Sequence, residues 1–207
     1  SIFGFEGLGS IYWHMVAKLL LAVQESHAAC DDPADADRLA EAYGNVRNGL
    51  GFRKSPEVYG AFPTDPYSHT PRHRGAQQPG MTGQVKEEIL TRLGELGVAV
   101  KCGQIHFEPR LLDAGEFLVE GGTFAYTDVR GREQEMPLPA GSLAFTFCQV
   151  PVCFVLKDGG GIHVDWTDGR SEHLAENNLP PEISREIFSR SGLVAGLTVK
   201  IPQDQLA

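Results

Sequence analysis

The stretch ILTRLGELGVAVKCGQIHFE, residues 89–108, changes its period in the middle. Up to Leu96 the apolar residues recur at helical intervals: Ile89, Leu93 and Leu96, continuing a stripe that begins at Val85. Beyond Gly97 they form short runs, Val98–Cys102 and Ile105–Glu108, separated by glycine. Thr82-Gly83 opens the helix and Gly97 supplies its C-terminal stop. The chain therefore divides near Gly97, into a helical part over residues 1–97 and a β part over residues 98–207.

Before that junction, Ser10 is a good N-cap, and Ile11 to Gln24 is apolar almost all the way round, which predicts a helix buried on every side. Asp32-Pro33 places an acid at the cap and proline at the first position of a second helix. Its stripe is Leu39, Tyr43, Val46 and Leu50. Residues 52–81 hold five prolines, four aromatic residues (Phe52, Tyr59, Phe62, Tyr67) and no clear period. A long aromatic loop of this kind reads as functional. After the junction, further strands are expected at Glu116–Val119, Thr123–Asp128, Leu143–Cys148, Val152–Lys157, Gly161–Trp166 and Leu197–Ile201, with one helix at Pro181–Ser189. The fold class is α+β, and the closely spaced strands predict an antiparallel β-sandwich-like domain.

Composition narrows the partners. Eighteen Lys and Arg against 27 Asp and Glu give a formal charge of −9, so no basic surplus exists to displace counterions from nucleic acid or an anionic membrane. The most apolar run, Ile11 to Val23, carries His14 and Lys18 and is shorter than the ~20 residues of a membrane span. Four cysteines without CxxC spacing are expected as reduced thiols, and no signal peptide is legible; both point to a cytoplasmic location. The chain opens at Ser1 rather than Met, which with the all-round apolar helix predicts a piece of a longer protein or an oligomer.

Several residues invite chemistry. His14 follows Trp13 in the apolar helix and reads either as a core histidine or as a ligand-binding group. Thr82-Gly83 is at least a cap, and its hydroxyl and free amides could bind an anion. Asp65, His69 and His73 suggest a metal, but Pro71 interrupts the helix that would aim both rings together, and no metal is expected. Glu87 and Glu88 fall in a first helical turn, where acids offset the dipole. Cys148 and Cys153 read as core residues, and Asp165 and Trp166 as turn-flanking residues or a sugar-binding face.

The order of these features is similar to the C-terminal end of the cellobiose and chitobiose phosphorylases. The matching elements are Ser10-Ile11-Tyr12-Trp13-His14, a helical hairpin, a loop bearing Asp65-Pro66-Tyr67, then Met81-Thr82-Gly83 opening a helix before a β-domain. The resemblance spans roughly residues 5 to 115. It implies that the helices close an (α/α)6 barrel, and that His14, Thr82 and Gly83 bind inorganic phosphate, the co-substrate, with no other cofactor. It also implies an oligosaccharide substrate and a general acid from a region upstream of this chain, so the chain alone is expected to be inactive.

Two other readings stand beside phosphorolysis. One is an inverting glycoside hydrolase, in which Glu87 or Glu88 would be the base, ~6.5–9.5 Å from its partner acid. The other is a non-catalytic carbohydrate-binding or structural module.

Overall fold

A computed structural model describes residues 13–50 and 83–206, and the chain divides into two compact units, Ser1–Leu93 and Gly94–Ala207. The first contains α1 (Trp13–Ala28), α2 (Pro33–Gly49) and most of α3 (Gly83–Glu95). Asp32 caps α2 as its sequence predicts: the carboxylate accepts from the Ala34 and Asp35 amides at 2.9 and 3.1 Å, with Pro33 at the first position. α1 and α2 pack together as a hairpin across a short connection.

Two expectations fail in this unit. α1 is not buried all round: Ala17, Leu20 and Gln24 are buried, while Met15 and Leu19 are exposed one turn apart. On α3 the expected stripe is turned to solvent at Ile89, which is 56% exposed, and the buried face is Glu87, Thr91 and Glu95. Of the same stripe Leu93 is half-buried and Leu96, just past the helix, is buried in the core as expected, so the helix combines polar contacts with part of its apolar stripe.

In the second unit, β1 (Val98–Lys101) and β2 (Gln104–Phe107) form a hairpin, as do β3 (Gly122–Thr127) and β4 (Glu133–Leu138). A five-stranded sheet contains β5 (Ser142–Phe147), β6 (Val150–Leu156), β7 (Ile162–Trp166), β8 (Ser171–Leu174) and β9 (Val194–Ile201), in the order β5-β6-β9-β7-β8. The antiparallel expectation is corrected at one place, because β6 and β9 run parallel. A parallel pair needs a crossover, here through β7, β8 and α4 (Pro181–Phe188).

The strand expected over Glu116–Val119 is also corrected. Asp113 accepts the Gly115 amide and caps a 3-10 turn at Ala114–Glu116 instead. The core is built on Phe154, which meets Phe107 and Phe145 edge-on at 5.8 and 5.1 Å, with Val152, Val164, Val199 and Ile201 fully buried around it. Ile183 and Ile187 of α4 join this core, and Ser184 Oγ accepts the Ile105 amide at 3.1 Å.

Candidate functional site

The three helices of the first unit are joined by a buried polar seam. Gln24 Nε2 of α1 donates to the Thr91 carbonyl of α3 at 2.8 Å and to the Tyr43 hydroxyl of α2 at 3.4 Å. One turn later on α2, Arg47 Nη1 pairs with Glu88 Oε1 at 2.7 Å, and Glu88 lies about one turn earlier on α3. The order of these contacts makes α3 run against α2. Since α1 also runs against α2, α1 and α3 point the same way. His14 lies ten residues before Gln24 and Gly83 eight before Thr91. At 1.5 Å per residue those positions are about 15 and about 12 Å back from the shared contact, at the same end of both helices.

Of the residues named for phosphate, His14 is in the first turn of the described α1 and Gly83 is the first described residue of α3. The His14 imidazole and all of Thr82 lie outside the described residues, as do Asp65, His69 and His73. Glu87 and Glu88 are not in the first turn of α3, which carries no acid, but in the second; Glu87 is only 4% exposed, and its Oε2 has no hydrogen-bond partner among the described residues. Glu88 is half-buried and is committed to Arg47.

Both cysteines expected in the core reach it, to different depths. Cys153 is buried in β6, where burial pushes its thiol pKa up. Cys148 is half-buried against the same core and occupies a hairpin tip with Gln149, both at positive φ (50° and 66°). Trp166 flanks a turn, with the Arg170 guanidinium 5.2 Å from its ring centroid, and Asp165 accepts the Ser171 hydroxyl. This matches the turn-flanking reading.

Sequence reasoning missed a cleft of about 450 Å³ in the second unit. Asp128 organises it, at the turn between β3 and β4. Its Oδ1 accepts the Arg130 and Arg132 amides, both at 2.9 Å; its Oδ2 accepts Arg132 Nε and Nη2 at 3.0 and 2.8 Å and Gln134 Nε2 at 3.3 Å. The Arg132 amide bond, then its guanidinium, hold the carboxyl pKa down at about 2. Gln149 Nε2 donates to the Asp128 carbonyl at 3.2 Å, tying a second turn to the first. Tyr126 lines the cleft, its ring stacked on Phe124 at 5.7 Å. Burial first, and the Asp128 charge second, raise its phenol pKa. One signal was legible: in Asp128-Val-Arg-Gly131 an acid begins a turn that ends on glycine.

No helix among the described residues is long and apolar enough to cross a membrane. No group of three or more His, Cys, Asp or Glu among them could hold a metal ion. Neither a protein-family model nor a curated protein matches the chain.

Proposed function

We propose that the chain is part of a carbohydrate-active enzyme that cleaves a glycosidic bond of an oligosaccharide by phosphorolysis, with the helices closing an (α/α)6 barrel. In this reading His14, Thr82 and Gly83 hold inorganic phosphate beside the anomeric carbon, and a carboxylic acid outside this chain protonates the leaving oxygen. Phosphate replaces water as nucleophile, so the protein must cradle an anion with donors rather than supply a carboxylate base. The observation that supports the reading is the common direction of α1 and α3, which brings the backbone positions of His14 and Gly83 to the same end of the helical layer although 69 residues separate them (83 − 14). Chain connectivity alone does not demand that common direction.

The test is phosphate binding by the chain, followed by phosphorus NMR at about tens of millimolar, the range set by helix-terminus energies of ~0.3–2 kcal/mol. Phosphate should bind, and His14→Ala and Thr82→Ala should each weaken it. Undiminished binding in both variants overturns the assignment.

A second reading has its own support. Glu87, buried and with an oxygen that has no partner among the described residues, suits the carboxylate base of an inverting hydrolase. Glu87→Gln distinguishes the two when the complete enzyme is assayed. Loss of hydrolysis selects the hydrolase, and retained phosphorolysis selects the first reading.

A further inference from the structure

The cleft of the second unit has a donor-rich rim and no free carboxylate. Asp128 already accepts five hydrogen bonds, so a ligand finds it saturated. Arg130 and Arg132 line the cleft with Asp128 as its single carboxylate, which leaves a net positive charge on its walls in a chain whose formal charge is −9. Arg132 is committed to Asp128. Arg130 is exposed and has no ion pair among the described residues. Its planar fork is suited to the paired oxygens of a carboxylate or phosphate.

The remaining polar groups set the rest of the ligand. Gln134 and Gln149 each turn their amide nitrogen toward Asp128, through one N–H bond apiece, which leaves their carbonyl oxygens to accept hydroxyls. Thr167 donates to the Leu193 carbonyl and likewise keeps acceptor capacity. The Tyr126 ring supplies a flat apolar wall. A volume of about 450 Å³ exceeds a bare ion and lies within the range of small-molecule sites, ~300–1,000 Å³.

We propose that this cleft binds an anionic sugar, a hexose carrying a carboxylate or a phosphate, with Arg130 holding the anion and the Gln134 and Gln149 oxygens accepting its hydroxyls. The site is built before the ligand arrives. Asp128 fixes one turn, Gln149 fastens the second to it, and Gly192 (φ +75°) brings a third so close that a Cβ there would lie 3.2 Å from Val129 Cγ2. Preordered walls reduce the entropy lost on binding.

Calorimetric titration of the full chain with glucuronate, glucose 1-phosphate, glucose, acetate and inorganic phosphate tests this. Either anionic sugar should bind at least about tenfold more tightly than glucose and than the simple ions, and the tighter of the two identifies the anion. Arg130→Ala should weaken that binding about tenfold or more, and Arg130→Lys should fall between, since it keeps the charge but loses the fork. His14→Ala should leave it unchanged, which separates this cleft from the phosphate site proposed on the helices. Arg130 is exposed, so circular dichroism of its variants should match the parent. Absence of binding by both anionic sugars at about 20 mM, equal binding of glucose or of the simple ions, or indifference to Arg130→Ala overturns the proposal.

Discussion

Asp128 and Arg132 are bonded twice over, once through the Arg132 amide at 2.9 Å and again through its guanidinium at 3.0 and 2.8 Å, so one carboxylate closes the β3–β4 turn by main chain and side chain together. Because these bonds favour the charged form, the carboxyl pKa lies at about 2 in the folded chain, below the value of roughly 3.9 expected of an unfolded Asp. The stabilisation is present in full above the unfolded value and is lost as pH falls through the folded one. The urea midpoint of the chain should therefore drop between about pH 4 and pH 2 more steeply than that of Asp128→Asn. Parallel curves would remove Asp128 from the acid response.

Tyr126 gives a second titration. Burial is the larger cause of its raised pKa and the Asp128 charge the smaller. In Asp128→Asn the phenol should titrate lower than in the parent but still above the ordinary value of ~10. Carbon NMR of labelled tyrosine, with Tyr126→Phe as assignment, reads this directly. A value unmoved by the substitution would show that the two groups do not sense each other.

Arg47 is 6% exposed and Glu88 28%, so their pair is shielded on one side only. Glu88→Ala should destabilise by about 1–3 kcal/mol, more than an exposed pair yields but less than a fully enclosed one. Glu88→Gln should recover part of this, because the amide oxygen still accepts from Arg47. Urea unfolding of the two variants measures the difference, and a loss below about 0.5 kcal/mol would make the contact incidental.

Gly97 sits at φ +64°, and a Cβ there would lie 2.1 Å from the Glu108 carbonyl carbon. Neither the dihedral nor the backbone contact can give way cheaply. Gly97→Ala should cost about 2–4 kcal/mol in thermal or urea unfolding.

The opposite change is available next door. Cys102 and Gly103 form the two-residue β1–β2 turn at φ 52° and 78°, a geometry that Asn-Gly fits better than Cys-Gly. Cys102→Asn should raise stability by about 0.5–1 kcal/mol. An unchanged or lower melting temperature would argue against strain in that turn.

The α-then-β order, the Asp32 cap and most strands were legible because each depends on a local period or a local hydrogen bond. The face of α3 was not. Its apolar residues suggested one side, but Gln24 and Arg47, distant in sequence, select Thr91 and Glu88 on another. β4 was missed because Glu-Gln-Glu-Met-Pro-Leu carries two acids and a proline, and it is a strand through pairing with β3 rather than through its own pattern. The cleft had no contiguous signature. Its walls come from residues 126–134, 149–151, 167 and 192–195, and only the sheet order brings these together. The His14–Gly83 relation likewise required the direction of α2, which spacing does not reveal.

β9 lies between β6 and β7, although it follows both in the chain. During synthesis those two strands emerge first, each with an open edge and apolar residues that have no neighbour to cover them. The β5–β6 and β7–β8 hairpins can form from local contacts, but the pairing that unites them waits for residues 194–201. Such long-range closure is slow, and the waiting edges are available to other chains. Yield from the ribosome should thus depend on how quickly the last strand is released and captured. A chain stopped before Val194 would present two hairpins without the strand that makes them one sheet.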